Sequence, residues 1–314
     1  MARDGGGGDS SWIRDHHDST CSFGMDLVVG IHRLLGRRCA RGVIWCISLA
    51  VWLCSPRLRR ISGSYLARIR AFAAARGRTL PRISTRLHIH RFCCALLDRI
   101  LAWRGILGVG DLVSRNGSLE ALVAKGAAAD RGFMIISSHA GDMEFLRGVN
   151  RFFQNRPVNI LIETGNNARF MAYMSRVNRD ATRRFVPVND ISPATASRLL
   201  EAVDRGEYVA ALGDRLLRED TRSVEVSFLG GRAYLPAGPW ILASLLGTEV
   251  VLVHCVEIAG RPQLFLRDAG PVRLSRRGRE AELRQAVQAY ARDLEEILLE
   301  APLDWFNFYD FWKE

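Results

Sequence analysis

The chain has 314 residues, is 48% hydrophobic and carries a formal net charge of +11. That length suits one large α/β domain or two small ones, with enough apolar side chains for a sizeable core. The seven cysteines are odd in number and show neither a CxxC pair nor Cys/His ligand spacing, which argues against a disulfide framework and structural zinc; the thiols are expected to be reduced.

Residues 1–24 are rich in Gly, Asp, Ser and His without an apolar period, and are expected to be a disordered tail. No small-residue cleavage site follows an apolar core near the start, so no cleavable signal peptide is expected. From Leu27 to Leu97 there are fourteen Arg and no Asp or Glu. Such a face favours polyanions: nucleic acid, anionic lipid headgroups or an acidic carrier protein. Within it runs the apolar segment Val43–Cys54, flanked by Arg37, Arg38 and Arg41 and by Arg57, Arg59 and Arg60. As a helix it spans about 18 Å, short of a hydrocarbon core of roughly 30 Å. It reads as a helix lying in one membrane leaflet, with Trp45 and Trp52 at the headgroup boundary. Further helices are expected over Ser62–Ala75, Phe92–Leu107 and around Leu119–Val123, so residues 25–131 form a helical, basic, membrane-associating region. His88 and His90, set among arginines, read as surface residues.

From Gly132 strands and helices alternate. Strands are expected at Phe133–Ser137, Val158–Ile162, Tyr208–Leu212, Val224–Phe228, Val250–Val256 and Gln263–Leu266. Helices are expected at Asp142–Phe152, Asn167–Asn178, Pro193–Asp204, Pro239–Leu246 and Glu280–Leu299. This order predicts an α/β fold over residues 132–314, a central mixed or largely parallel sheet flanked by helices.

Chemistry concentrates after the first strand of that region. There the apolar run ends in Ser137-Ser138-His139-Ala140-Gly141-Asp142, with Glu144 close behind. Open α/β sheets place their sites at strand carboxyl ends. A histidine with an orienting carboxylate is the minimum for a general base. The bland reading is a strand-end histidine followed by a helix that Asp142 caps. A second strand ends in Gly213-Asp214-Arg215, which reads either as a loop-holding ion pair or as a phosphate or carbonyl clamp. A third segment, Phe228-Leu229-Gly230-Gly231-Arg232, followed by Pro236-Ala237-Gly238, reads as a glycine turn; the helix start after Gly238 could receive an anion. Six aromatics crowd Trp305–Trp312 and call for burial, a pocket or lipid contact. His254 lies among valines and reads as a core residue. No G-x-S-x-G elbow is present.

Taken together, these blocks resemble the lysophospholipid acyltransferase superfamily, and more closely its bacterial lipid A acyltransferase branch of the lauroyl/myristoyl type. His139 to Glu144 match that branch's H-x4-D/E, Gly213-Asp214-Arg215 its acidic-plus-polar pair, and Phe228–Gly238 its F-F-G-x-x-A…G turn. The likeness spans roughly residues 27–312. Arg169 to Arg184 fit only the general pattern, and the aromatic ending resembles a divergent subgroup tied to other glycolipids.

The resemblance implies an O-acyltransferase without cofactor or metal. His139 would deprotonate an acceptor hydroxyl, Glu144 would orient His139, and the alkoxide would attack an acyl thioester with no acyl-enzyme. Asp214, Arg215, Gly230, Gly231 and Arg232 would bind substrate. The donor would be an acyl-carrier protein, with acyl-CoA as the alternative, and the acceptor a lipid A-like or other glycolipid. The place would be the cytoplasmic face of a bacterial inner membrane, on anionic lipid. Rival readings are an acyl-CoA-dependent glycerolipid acyltransferase and a non-catalytic lipid-binding protein of the same fold. Nucleic acid is not an expected partner: no RNP-like aromatic motif occurs, and the arginines surround an apolar helix.

Overall fold

The computed structural model describes residues 20–107, 109–142, 156–163, 184–188, 191–216 and 222–312. Glu144, nearly all of the helices expected over 142–152 and 167–178, and most of the expected tail lie outside them.

Helix α1 (Thr20–Cys54) already begins inside the stretch read as a tail and is broken at Gly36, where φ is 81°. Such a φ suits a residue without Cβ. Helix α2 (Pro56–Ala75) starts with Pro56 in its first turn, where a missing N–H costs nothing. Helix α3 (Thr85–Trp103) is capped by Ser84, whose side chain accepts from the Leu87 N–H. The Cys39–Cys54 arm of α1 meets α2 at 96°. Among the described residues no single helix is long and apolar enough to cross a membrane, but this bent pair passes that test jointly, by length and composition. The first arm is two-faced. Ala40 and Ile44 pack with Ile89, Cys93 and Leu97 of α3, whereas Trp45, Ile47, Leu49 and Leu53 are exposed.

The α/β region carries a seven-stranded sheet. Its strands are β1 (Val113–Ser114), β2 (Met134–Ser137), β3 (Val158–Ile162), β4 (Phe185–Pro187), β5 (Tyr208–Leu212), β8 (Glu249–Ile258) and β9 (Arg261–Pro271). They run in the order β1-β9-β8-β2-β5-β3-β4. The five strands from β8 to β4 in that order are mutually parallel. Strand β9 is antiparallel to β8 and parallel to β1, so the expected mixed, largely parallel sheet is what forms. Strands β6 (Ser223–Phe228) and β7 (Gly231–Pro236) make a separate antiparallel hairpin. Helices α4 (Ser118–Ala128), α5 (Pro193–Asp204), α6 (Gly238–Leu246) and α7 (Arg279–Glu300), with a 3₁₀ turn at Val109–Asp111, complete the described elements.

Strand β2 lies in the middle of the sheet, and alternate side chains serve opposite faces. Met134 and Ile136 join the core formed with Tyr65 and Leu66 of α2, Leu199 of α5, Trp240 of α6 and Tyr290 of α7. Phe133 and Ile135 join a second core with Leu122 of α4 and with Val251 and Val253 of β8. Burial on both faces is why this segment reads as a continuous apolar run.

His88 is a correction to the sequence reading: it is buried, not on the surface. Both of its ring nitrogens are satisfied, Nδ1 by the Ser62 hydroxyl at 2.9 Å and Nε2 by the Trp305 carbonyl at 2.9 Å. Burial lowers its pKa from 6.5 to about 4. The unfolded chain takes up the proton near pH 6.5, while the folded chain stays neutral until about pH 4. The stability that His88 contributes is therefore fully present above pH 6.5 and is lost as pH falls towards 4, by on the order of 3 kcal/mol. His88→Gln should flatten the loss of stability between pH 7 and pH 4.5, measured by urea unfolding at each pH. An unchanged slope would show that another group governs the acid response.

Candidate active site

Parallel pairing of β2 with β5 sets Ser137 opposite Leu212. Two residues beyond each partner stand His139 and Asp214, so the register alone delivers an imidazole beside a carboxylate. The contact is made: His139 Nδ1 lies 2.9 Å from Asp214 Oδ1, and the His139 backbone N–H donates to Asp214 Oδ2 at 2.8 Å. Asp214 is fully buried, while the His139 side chain is 26% exposed.

Two further donors converge on the Asp214 residue. Trp305 Nε1 and Asn307 Nδ2 each donate to Oδ2 at 2.8 Å, and Asn307 Nδ2 also reaches the Asp214 carbonyl at 3.2 Å. Burial pushes the Asp214 pKa up, but the His139 charge, its hydrogen bonds and the Trp305 N–H outweigh that, and the net shift is downward. The carboxylate thus stays ionised and holds the proton of His139 on Nδ1. Nε2 is left as the nitrogen able to accept a proton.

The loop that carries His139 is tied down on all sides. The Ser137 carbonyl accepts from the Gly213 N–H and the Tyr290 hydroxyl, each at 2.8 Å. The His139 carbonyl accepts from the Phe306 N–H at 2.9 Å, and the Gly141 N–H donates to the Asp304 carbonyl at 2.7 Å. The C-terminal segment 302–312 is therefore a strap across the site. Tyr65 of α2 donates its hydroxyl to the Pro302 carbonyl at 3.0 Å, and Arg91 of α3 pairs with Asp304 at 2.7 Å. Burial of the aromatic ending, expected from its composition, is realised in Trp305 and Phe306.

Ser138, His254 and Asp293 form a second His-centred series. Ser138 Oγ lies 2.9 Å from His254 Nδ1 and accepts from the Ala140 N–H at 3.1 Å; His254 Nε2 is 3.4 Å from Asp293. Ser138 and His254 are 2% and 1% exposed, so this serine is a loop fastener, closed to substrate. His254 is the core histidine that its strand context indicates.

The other expected site residues are placed as follows. Asp214 does not pair with Arg215, which corrects the ion-pair reading; the Arg215 guanidinium lies 5.4 Å from the Tyr309 ring instead. Gly230, Gly231 and Arg232 sit at the tip and start of the β6–β7 hairpin, where Gly230 faces Phe72 and Gly231 faces Arg68 of α2. They neighbour α2 and not the His139 loop. Asp142 lies 3.4 Å from Arg99 of α3, and its N–H donates to the Cys255 carbonyl at 2.9 Å. Trp305 and Asn307 were missed as site residues, because nothing in an aromatic-rich tail says which ring turns a donor inward. Trp305→Phe keeps most of the packing and removes one charge-assisted bond, so it should cost about 1.5–3 kcal/mol of stability. Thermal or urea unfolding checks this; wild-type stability would mean that the indole N–H is dispensable.

Among the described residues no group of three or more His, Cys, Asp or Glu is placed to hold a metal ion. Residues 118–314 match the family described as bacterial lipid A biosynthesis acyltransferase. No curated protein matches the chain.

Proposed function

The chain belongs to the bacterial lipid A biosynthesis acyltransferase family, and from that premise we propose that it moves a fatty acyl group from an acyl-carrier-protein thioester to a hydroxyl of a lipid A-like glycolipid, with His139 as general base. The observation that carries this reading is the 2.9 Å contact between His139 Nδ1 and the fully buried Asp214 carboxylate. Nε2 takes the proton of the acceptor hydroxyl as its oxygen attacks the thioester carbonyl. The C–O bond forms, the C–S bond breaks, and the leaving thiolate recovers the proton from Nε2. Asp214 stabilises the imidazolium between these two events.

Direct transfer without an acyl-enzyme fits the surroundings. Ser138 is buried and committed to His254 and Ala140. Cys255 is buried and its thiol pKa is pushed up by burial, the opposite of an activated nucleophile. Glu144 remains in the proposal as the second carboxylate of the H-x4-E spacing; the orienting role on Nδ1 goes to Asp214.

The carrier-protein donor and the cytoplasmic face of the inner membrane are supported by charge. The acid-free, Arg-rich stretch Leu27–Leu97 suits an acidic carrier and anionic headgroups. The exposed side chains of Trp45, Ile47, Leu49 and Leu53 suit a bilayer interface. The test offers the purified chain, on vesicles with and without anionic lipid, a glycolipid acceptor together with either acyl-carrier-protein or CoA thioesters. Faster consumption of the carrier-protein thioester on anionic vesicles is expected. Equal or faster use of the CoA thioester would reassign the donor, and no consumption of either would make the chain a non-catalytic lipid-binding member of the family.

A further inference from the structure

A cavity of about 610 Å³ opens between α2, the β6–β7 turn and α7, lined among others by Arg68, Arg76, Leu229, Gly230, Arg292 and Glu295. Three guanidiniums face one carboxylate there. Each wall element is fixed. Arg68 lies 4.6 Å from the centroid of the Trp312 ring, and Arg76 lies 3.5 Å from that of Phe72. Glu295 accepts from the Leu229 N–H at 2.6 Å and stands 3.7 Å from Arg76. Among the described residues no carboxylate lies within 4.0 Å of Arg68 or Arg292. Burial also raises the Glu295 pKa.

A second cavity, of about 300 Å³, makes the contrast. Its two arginines are spent on acids: Arg115 pairs with Glu300 at 3.2 Å and Arg267 with Asp293. It holds no surplus cation.

We propose that the α2/β6–β7/α7 cavity is a binding site for a phosphate ester, held by Arg68 and Arg292 with Arg76 behind them. Guanidiniums present a planar fork that fits phosphate oxygens in pairs, and stacking on Trp312 preorganises Arg68 without neutralising it. The glycines at the turn keep the mouth open: a Cβ on Gly231 would stand 2.2 Å from Arg68 Nη1. The site also touches the catalytic strap, since the Trp312 ring packs 5.8 Å from that of Trp305, whose indole holds Asp214. As a substrate subsite it rests on the acyl-transfer reading; as an anion site it does not. The phosphate belongs either to the phosphopantetheine arm of the donor or to a phosphorylated sugar of the acceptor.

The experiment is isothermal titration of the full chain in uncharged detergent. The probes are 4′-phosphopantetheine against pantetheine, and glucosamine 1-phosphate against glucosamine. Each phosphorylated probe is expected to bind at least tenfold tighter than its partner if it represents the true source, and the tighter of the two identifies that source. Arg292→Ala, an exposed position, and Arg68→Gln should each weaken that probe about tenfold. Arg115→Ala should leave it unchanged, and Glu295→Gln should strengthen it. His139→Ala should bind it normally while failing in acyl transfer, which separates this site from the catalytic reading. Equal binding of phosphorylated and unphosphorylated probes, or full affinity in Arg292→Ala and Arg68→Gln, overturns the proposal.

Discussion

His139→Ala and Asp214→Asn should each lower kcat for acyl transfer by about 10³–10⁴-fold, and the double variant should be no slower than the slower of the two. In the proposed mechanism the imidazole takes the hydroxyl proton, and without it the acceptor attacks only as a neutral alcohol. Asp214→Asn keeps the side-chain shape but changes the proton inventory. The present carboxylate accepts from His139 Nδ1 through one oxygen, and from the His139 N–H, Trp305 and Asn307 through the other. An amide has a single acceptor oxygen. If that oxygen stays with the three donors, the NH₂ faces Nδ1 and forces the proton onto Nε2, where the base is needed. If it turns to Nδ1, the NH₂ meets three donors. The first outcome puts the proton on the wrong nitrogen, and the second sets NH₂ against three donors and removes the charge that stabilises the imidazolium, so the residues act as a unit and their losses do not add. Initial rates of thioester consumption with acceptor present decide the matter, with circular dichroism reporting the fold. Because His139 is partly exposed, its Ala variant should unfold close to the wild-type temperature. A Glu144→Gln variant measured alongside divides the roles: full activity in Asp214→Asn with loss in Glu144→Gln would return the orienting role to Glu144.

The difference between those two carboxylates marks what could be read from the chain alone. His139 was legible, because a buried strand announces itself by its apolar run and its end by the polar residues after it. The strands Val158–Ile162 and Tyr208–Leu212 and the helix Pro193–Asp204 form with the bounds expected for them. Asp214 was visible as a charged strand end, but not as the partner of His139. That pairing needs β5 beside β2, and β3 and β4 intervene in sequence. Local spacing points instead to Glu144. Once the neighbours are known, the Ser137–Leu212 register supplies the answer by counting two residues on each strand.

The remaining misses have several causes. Strands β1 and β4, of two and three residues, are too short for any period to show. Strand β7 was taken for a turn because its glycine and proline ends hide an alternating middle, in which Ala233 and Leu235 point inward. His88 was misjudged from its arginine neighbours along the chain. Its environment is set by Ser62 and Trp305, which lie 26 and 217 residues away. For His88 the deciding contacts are long-range, and short-range patterns carry no record of them.

A close long-range backbone approach gives the second large effect. Gly141→Ala should destabilise the protein by about 3–5 kcal/mol and cut turnover by about 10²-fold or more. Gly141 has φ +75°, and a Cβ there would lie 1.8 Å from the Cys255 carbonyl oxygen. The obstacle is backbone of β8, buried in the sheet, so no flexible side chain can swing aside. Relief requires the loop to lift off β8. That movement breaks the bonds from Gly141 N to the Asp304 carbonyl and from Asp142 N to the Cys255 carbonyl, and carries His139 away from Asp214. Gly247→Ala is the control. Gly247 also has positive φ, +57°, but a Cβ there meets nothing within 4 Å. It should therefore cost only the left-handed backbone penalty, about 1 kcal/mol, and leave turnover intact. Urea unfolding of both variants beside thioester turnover separates the two terms. If Gly141→Ala loses no more than Gly247→Ala, backbone conformation is the whole effect and the close approach to β8 does not hold the His139 loop.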